Sequence, residues 1–338
     1  MLEFAQFGAG RIGAIHAANL AASRGARLRY IVDVDAKAAR RIADACGARV
    51  ADERAALGDP RVRAVIIASS TDTHARLAIA AARAGKAIFC EKPIDLSLRK
   101  VDACLAVVRR AKVPMLVGFN RRFDPEFRAL KTRLDRGAIG KVEQVLITSR
   151  DPGLPPLAYL RVAGGLFRDM TIHDFDMARW LLGEEPVEVF ARGSCLVDAM
   201  VKRVGDIDSA AVTLCTASGK LAVITNSRRA SYGYDQRIEV HGSLGRLSAG
   251  NRIESTLELA NRRGVAAAKP LHFFLERYAD AYRAELAAFI AAVRGKRPMP
   301  VGPDDGRQAL VLAEAALRSL KSGRAVRVNV PRRPRHSR

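Results

Sequence analysis

The chain has 338 residues, of which 49% are hydrophobic and 27% are charged. This composition is typical of a globular protein, and the length is sufficient for two domains with a sizeable core. No apolar run approaches the roughly 18 residues that a transmembrane helix needs, and the amino terminus, MLEFA, has no basic segment before an apolar block. We therefore expect a cytoplasmic protein with neither a signal peptide nor a membrane partner.

The formal net charge of +22 raises the question of a nucleic-acid partner. The arginines are scattered along the chain, however, and no basic stripe is interleaved with aromatic residues. The one local basic cluster is a short, proline-containing tail at residues 331–338. We expect no nucleic-acid binding.

The five cysteines lie at positions 46, 90, 104, 195 and 215, and they form no CxxC pair or zinc motif. Reduced thiols are therefore expected. No cluster of histidines and carboxylates has the spacing of metal ligands, so we expect no metal.

The first third of the chain alternates strand and helix patterns. Strands are predicted over 2–7, 28–32, 65–68, 87–90 and 115–118, and helices over 36–46, 73–84 and 96–111, besides one that ends near 23. This alternation predicts a parallel sheet covered by helices on both faces. We expect an α/β protein whose first domain, residues 1–122, is doubly wound. Gln6 is an unusual residue for a buried strand of such a sheet.

The remainder of the chain has a different pattern. Helices are predicted over 124–136, 169–182, 277–294 and 303–322, and strands over 142–149, 188–194, 209–216, 220–228, 237–242 and 246–249. Consecutive strands without intervening helices predict a largely antiparallel sheet. We expect an α+β domain over 123–330 with a large, mainly antiparallel open sheet, followed by the basic tail.

The sequence GAGRIG, which begins at Gly8, follows the first predicted strand and opens a helix. In that context Gly8 permits a tight turn, Gly10 lets the backbone approach a pyrophosphate, and Gly13 allows close helix–strand packing. The N–H groups at the helix start, around Arg11 and Ile12, then face the anion. An ordinary glycine-rich connection is the alternative, but the context favours a dinucleotide-binding Rossmann domain.

Asp33 ends the second predicted strand, 25 residues after Gly8. A carboxylate at this position can accept hydrogen bonds from the adenosine ribose and would repel a 2′-phosphate, which favours NAD over NADP. The nearby Arg40 and Arg41 weaken that preference, and a turn aspartate is the structural alternative. We expect NAD.

Two further polar pairs stand out. Glu91 and Lys92 follow a strand at the sheet edge where open α/β folds bind ligands, although a surface ion pair is an equal reading. In GGLFRDMTIHDFD, a helix would place Asp169 and His173 on one face. A structural pair and a proton-transfer pair look the same at that spacing.

The segments GAGRIGAIHAANL, FCEKPI, GFNRRFDP and GGLFRDMTIHDFDMARWL together resemble the Gfo/Idh/MocA oxidoreductase family over nearly the whole chain. TSRDPGLPP and YGYDQRIEVHG are similar to segments of the inositol 2-dehydrogenases within it. The resemblance implies a Rossmann domain, then an α/β domain with a large open sheet, and a homo-oligomer, dimer or tetramer, formed through that sheet. It also implies a cis peptide before Pro93.

The resemblance further implies that Lys92, Asp169 and His173 converge beside the nicotinamide and are the catalytic residues. His173 would take the substrate hydroxyl proton as hydride leaves the carbon, and Lys92 would stabilise the developing alkoxide. Asp169 would bind another hydroxyl and orient the pair. Histidine suits this role because imidazole exchanges a proton near neutral pH. An Asp–His pair that only stabilises a helix is the alternative.

Other candidate binding residues are suggested by their positions in the sequence. On the cofactor side they are Ser70, Thr71, His74, Glu91 and Lys92. Thr71 or Thr73 could instead cap the next helix, with His74 merely close by.

On the substrate side, the candidates besides the catalytic residues are Arg122, Asp151 and Tyr232. Arg121 and Tyr234 are alternatives to the first and last of these. A surface arginine, a turn aspartate and a core tyrosine are the structural readings.

The function implied by the resemblance is NAD-dependent oxidation of a cyclic polyol, with myo-inositol converted to 2-keto-myo-inositol as the leading reaction. Dehydrogenation of another inositol isomer or of an aldose is an alternative. A sugar-sensing regulator that performs no chemistry is a further one, and the retained Lys92, Asp169 and His173 argue against it.

Overall fold

The computed structural model describes residues 1–329 and divides them into two compact units. The first unit contains residues 1–124 and 278–310, and the second contains residues 125–277 and the segment that follows 310. The predicted basic tail, 331–338, lies outside the described residues. Within the described range, no helix combines the length and apolar character required to span a bilayer.

The first unit is built on a parallel sheet of six strands in the order β3-β2-β1-β4-β5-β6. The strands are β1 Leu2–Phe7, β2 Ala26–Val32, β3 Arg49–Val50, β4 Val62–Ile67, β5 Ala87–Glu91 and β6 Met115–Gly118. The helices are α1 Arg11–Ala21, α2 Ala36–Cys46, α3 Glu53–Gly58, α4 Thr71–Arg83 and α5 Leu98–Ala111, followed by a 3-10 turn at Asn120–Phe123. The order reverses at β1, which confirms the predicted doubly wound sheet.

Local signals explain the boundaries of several of these elements. Every residue of β5 is buried, as expected for an apolar strand covered on both faces. Asp35 caps α2 by accepting hydrogen bonds from the N–H groups of Lys37 and Ala38, and Gly47 ends that helix in the left-handed region, where glycine is least strained.

The second unit contains a seven-stranded sheet in the order β12-β11-β7-β10-β9-β8-β15. Its strands are β7 Val142–Arg150, β8 Pro186–Ser194, β9 Ser209–Thr216, β10 Leu221–Ser227, β11 Asp235–Gly242, β12 Gly245–Ala249 and β15 Val326–Arg327; β13 Glu258–Asn261 and β14 Gly264–Ala267 form a separate hairpin. Only the β7–β10 pair is parallel. The expected large, mainly antiparallel sheet is therefore confirmed.

The remaining helices are α6 Pro125–Asp135, α7 Leu157–Leu160, α8 Leu166–Asp169, α9 Thr171–Leu182, α10 Ala199–Arg203, α11 Phe274–Arg277, α12 Ala279–Val293 and α13 Pro303–Ser322. The prediction of a single helix over 169–182 is wrong in one respect, because the structure has two helices, α8 and α9, separated at Met170. At this division the Thr171 hydroxyl lies 2.8 Å from Asn226 Oδ1 and 3.4 Å from Leu166 O. These are contacts that local helix propensity cannot anticipate.

The unit boundaries differ from the expected division at 122/123 in one segment. The first boundary falls at residue 124, but residues 278–310 pack with the first unit instead of the second. In that unit Phe289, on α12, makes ring contacts with Phe4 and Phe89 at centroid distances of 6.1 and 5.6 Å. Helical periodicity predicts that α12 exists, but it does not show which sheet the helix covers.

Candidate active site

The glycine turn follows β1 and leads into α1. Gly8 has φ +106°, and a Cβ built there would lie 2.3 Å from Ala68 O; a Cβ on Gly13 would lie 2.2 Å from Gly8 O. Gly10, by contrast, has no described atom within 4 Å of such a Cβ. The packing of the protein itself thus requires Gly8 and Gly13, whereas Gly10 leaves open space at the start of α1. This arrangement fits the close approach of a pyrophosphate.

The hydrogen bonds of Gln6 account for its unusual position within the apolar strand β1. Its side chain is fully buried, and its Nε2 donates hydrogen bonds to Gly8 O at 2.9 Å and Gly13 O at 2.7 Å. The amide therefore satisfies two carbonyls of the turn that would otherwise be costly to bury. The residue that looked out of place in an apolar strand stabilises the glycine turn.

Asp33 directly follows β2 and contacts the same turn. Its Oδ2 accepts a hydrogen bond from Ala9 N at 2.5 Å, and its Oδ1 accepts one from Asp35 N at 2.8 Å. These bonds fix the carboxylate beside the turn, where an adenosine ribose binds in folds of this type. In the first turn of α1, Arg11 is exposed and Ile12 is half-buried.

The segment after β4 contains the next three cofactor candidates. Ser70 is exposed at the start of α4, Thr71 is half-buried, and His74 is buried. The ring nitrogens of His74 lie 2.8 Å from Pro93 O and 3.1 Å from Ser69 O. His74 therefore connects the segment after β4 to the segment after β5.

Lys92 is half-buried at the carboxyl end of β5, and its peptide bond to Pro93 is cis, as the resemblance implied. The preceding Glu91 is buried, and its carboxylate contacts His16 Nε2 at 2.7 Å and Lys92 N at 3.3 Å. The sequence predicts that Glu91 contributes to cofactor binding. In the described structure its contacts with His16 and Lys92 are internal to the first unit.

Arg122 lies in the 3-10 turn after β6 and forms an ion pair with Asp305 at 2.9 Å. Arg122 is half-buried, whereas the neighbouring Arg121 is buried, with its guanidinium 5.9 Å from the ring centroid of Tyr278. Both arginines therefore contribute to the packing of the first unit. Neither is an exposed surface residue, which was the alternative to a role in substrate binding.

The different environments of the glycines predict different effects of substitution. Gly13→Ala should destabilise the protein by about 1–3 kcal/mol, because its Cβ would overlap a backbone oxygen. Gly10→Ala should leave the melting temperature unchanged and raise the NADH dissociation constant at least about tenfold, or about 1.4 kcal/mol. Thermal unfolding and NADH fluorescence titration measure the two effects. Equal NADH affinity in Gly10→Ala and the parent protein would contradict the assignment of the turn.

In the second unit, a buried arginine and two half-buried carboxylates form a cluster. Asp169 accepts hydrogen bonds from the Tyr159 hydroxyl at 2.6 Å and from Arg228 Nη2 at 2.9 Å. Arg228 Nη1 also lies 3.7 Å from Asp151 Oδ2. The side chain of Arg228 is only 2% exposed, so it neutralises the two carboxylates from within the domain.

The charges in this cluster affect one another. Burial alone would lower the pKa of Arg228, but the charges of Asp169 and Asp151 outweigh this effect and raise the pKa above its usual value. The guanidinium therefore remains charged. Partial burial and then the charge of Asp169 raise the pKa of Tyr159 well above its usual value, although 45% of the residue's surface remains exposed. The phenol is therefore a hydrogen-bond donor to Asp169 at neutral pH.

Two residues at the end of β10 hold the segment that carries the predicted Asp–His pair. Arg228 binds Asp169 at the end of α8, and Asn226 contacts both Thr171 and Asp174 at 2.8 Å. His173 is half-buried in the first turn of α9. Asp169 and His173 thus belong to two consecutive helices, α8 and α9, which contacts with Asn226 and Arg228 fix in place, and the single helix that was expected to carry both residues is not formed.

Tyr232 belongs to a second polar group in the second unit. Its hydroxyl donates to Asp235 Oδ2 at 2.6 Å and accepts from Arg150 Nη1 at 3.2 Å. Burial and the hydrogen bond to Asp235 raise the pKa of Tyr232. Tyr234, the alternative candidate, is buried against Phe273.

Sequence reasoning missed Arg228 and Tyr159. Arg228 is followed by Arg229 in an arginine-rich chain, and nothing in the sequence distinguishes the buried residue from the exposed one. The YGYDQRIEVHG segment favours Tyr232, whereas Tyr159 lies in the four-residue helix α7, in a stretch where the sequence predicts no element.

A doubly wound sheet with a glycine turn after its first strand, and an acidic residue after its second, defines a dinucleotide-binding Rossmann domain. Residues 2–119 match the oxidoreductase family with an NAD-binding Rossmann fold, and residues 127–248 match the GFO/IDH/MocA C-terminal domain. The chain belongs to the Gfo/Idh/MocA family of NAD-binding oxidoreductases.

Individual relatives extend this similarity over nearly the whole chain. An inositol 2-dehydrogenase from Rhizobium meliloti (strain 1021) is 51% identical over 97% of this chain and 99% of that protein. The crystal structure of a myo-inositol dehydrogenase from Corynebacterium glutamicum matches with a TM-score of 0.94 and 41% identity, covering 98% of this chain and 100% of that one. The crystal structure of a scyllo-inositol dehydrogenase from Lactobacillus casei with bound NAD(H) and scyllo-inositol matches with a TM-score of 0.90 and 27% identity, covering 97% of this chain and 99% of that one.

Proposed function

We propose that this protein oxidises a cyclic polyol with NAD, and that its substrate is myo-inositol, converted to 2-keto-myo-inositol. The observation that carries the proposal is the 51% identity, over nearly the full length of both chains, to an inositol 2-dehydrogenase. The paired carboxylates Asp151 and Asp169 suit such a ligand, because carboxylate oxygens accept hydrogen bonds from hydroxyl groups.

The chemistry assigns a role to each candidate catalytic residue. The imidazole of His173 takes the proton of the reacting hydroxyl, and the Nζ ammonium of Lys92 donates a hydrogen bond to the same oxygen as negative charge develops. Asp169, held by Arg228 and Tyr159, accepts a hydrogen bond from a neighbouring hydroxyl and orients the ring. When bound, NAD supplies the acceptor for the hydride that leaves the carbon, so the alcohol becomes a ketone.

The remaining contacts to the ligands are also part of the proposal. Arg122, Asp151 and Tyr232 bind hydroxyl groups of the polyol. Residues of the glycine turn and of the segment after β4 hold the dinucleotide; they are Gly8, Gly10, Arg11, Ile12, Gly13, Ser70, Thr71 and His74. Asp33 binds the adenosine ribose and favours NAD over NADP, because its carboxylate would repel a 2′-phosphate.

We further propose that the protein is a cytoplasmic homo-oligomer, assembled as a dimer or tetramer through the seven-stranded sheet. Leu146, Val223 and Phe190 lie in one row across that sheet, where register pairs Val223 with Leu146 and both Val223 and Phe190 with Thr213. These three side chains are 36–41% exposed, and exposed apolar rows of this kind are typical of interfaces. Analytical ultracentrifugation tests this, and a monomer at micromolar concentration would contradict it.

The experiment that tests the proposed function is NADH or NADPH formation with a panel of inositol isomers and aldoses. We expect myo-inositol with NAD to give the highest kcat/KM. A preference for another isomer or an aldose would keep the reaction class and contradict the substrate. Tight NADH binding without turnover on any compound would instead indicate a sensor that performs no chemistry.

A further inference from the structure

A buried polar pair joins the helix that follows the glycine turn to the strand that precedes Lys92. His16 lies on the inner face of α1 and is fully buried, and its Nε2 lies 2.7 Å from Oε1 of Glu91 at the end of β5. The side chain of Glu91 is only 11% exposed. Burying such groups is unfavourable unless they bind each other well, and apolar side chains of similar volume would fill the space at lower cost.

The same carboxylate also contacts the backbone of Lys92. Oε1 of Glu91 binds the imidazole on α1, while Oε2 accepts a hydrogen bond from Lys92 N at 3.3 Å. One side chain thus links the helix of the glycine turn to the amide of the candidate catalytic lysine. Rotation of the Glu91 side chain would break both contacts.

The surrounding residues restrict this carboxylate and its partner. Gly118 pairs with Glu91 between β6 and β5, and a Cβ on Gly118 would lie 2.8 Å from Glu91 Oε2. The imidazole of His16 contacts the ring of Phe89 at a centroid distance of 4.8 Å and that of Tyr282 at 5.7 Å. The absent side chain at Gly118 leaves room for the carboxylate, and the two rings fix the imidazole.

We propose that His16 and Glu91 are positioning residues for Lys92. The pair fixes the Lys92 backbone relative to α1, and the first turn of α1 binds the pyrophosphate of the cofactor. His16 acts only through Glu91, and neither side chain takes part in the chemical step. Loss of His16 should therefore lower turnover much more than it lowers affinity for the dinucleotide.

The kinetic test compares His16→Leu with His16→Gln, whose amide N–H can still donate to Glu91. Measured with myo-inositol, and so resting on the proposed function, kcat of His16→Leu should fall at least about tenfold, because small misplacements of reacting groups cost that much or more. KM for NAD and the NADH dissociation constant should change less than about twofold, a change too small to reflect a lost contact. His16→Gln should recover most of the lost kcat.

The matched control is Leu20→Ala, which alters another fully buried side chain on the same face of α1. It should reduce thermal stability but leave kcat per NADH-binding site unchanged. An equal loss of kcat in Leu20→Ala and His16→Leu would show that any disturbance of α1 is sufficient, and it would overturn the proposal. Unchanged kcat in His16→Leu would overturn it as well.

Hydrogen exchange gives a readout that does not depend on the substrate. In the NADH complex, the peptide that contains Lys92 should exchange faster in His16→Leu than in the parent protein, and His16→Gln should restore slow exchange. If His16→Leu does not fold, Gly118→Ala displaces the same carboxylate from the other side and should also speed exchange there. Parent-like exchange in the folded variants would overturn the proposal, whereas a parent protein inactive on myo-inositol would contradict only the proposed function.

Discussion

His173→Ala should reduce kcat about 10²–10⁴-fold, because in the proposed chemistry His173 takes the proton of the reacting hydroxyl. The NADH dissociation constant should stay within about twofold, a difference of about 0.4 kcal/mol. The glycine turn and Asp33 lie in the first unit, whereas His173 lies in the first turn of α9 in the second. Initial-rate kinetics and fluorescence titration measure the two quantities on the same preparation.

His241→Ala is the matched control for this substitution. His241 also belongs to the second unit, but it lies half-exposed on β11 and pairs with Glu143 at 3.3 Å. We expect its removal to leave kcat unchanged. If His173→Ala retains parental turnover, His173 has no role in the proton transfer and the assigned chemistry is incorrect.

Arg228→Met should lower the free energy of unfolding of the second unit by about 3 kcal/mol, because it leaves Asp169 and Asp151 without their buried counter-charge. The same substitution should reduce kcat/KM for the polyol at least about tenfold, since Asp169 then loses the hydrogen bond from Arg228 that helps to orient it. Urea unfolding followed by circular dichroism measures the first effect, and initial rates measure the second.

The adjacent arginine provides an internal control. Arg229 is exposed, and its guanidinium donates hydrogen bonds to the backbone oxygens of Val197 and Leu196, at 3.4 and 3.3 Å. Arg229→Met should change stability by less than about 0.5 kcal/mol. Similar losses in the two variants would mean that charge in this loop matters in general and that the cluster around Arg228 has no special role.

The sequence predicts those parts of the molecule whose signals are local. The glycine turn, Asp33 and the alternation of strands and helices in the first unit depend on residues close together in the chain. The structure has them where expected, except for the short elements β3 and α3, which the sequence analysis did not predict. The glycine spacing also indicates a physical need, because Gly8 and Gly13 are required by backbone contacts within the turn itself.

The sequence cannot predict features that depend on contacts between distant residues. The division between α8 and α9 coincides with a hydrogen bond from Thr171 to Asn226, which lies 55 positions later. Arg228 and Arg229 are indistinguishable in the sequence, yet one is buried against two carboxylates and the other is exposed. Gln6 is an anomaly until the structure shows the two turn carbonyls that it binds.

The assignment of residues 278–310 shows the same limit. Apolar periodicity predicts α12 and α13 correctly as helices, but it does not specify the surface that each one covers. The ring contacts of Phe289 with Phe4 and Phe89 place α12 on the first unit. Chain order alone had suggested that everything after residue 122 belonged to a second domain.

In the reaction we propose, the protein removes a hydride from one carbon of myo-inositol and a proton from the hydroxyl group on that carbon, with NAD as the hydride acceptor. The most direct measurement is the stoichiometry of the reaction: NADH formed and ketone produced by the purified protein from myo-inositol, with the oxidised carbon identified by nuclear magnetic resonance. We predict equimolar NADH and 2-keto-myo-inositol. No NADH, or oxidation at a different carbon, would contradict this account.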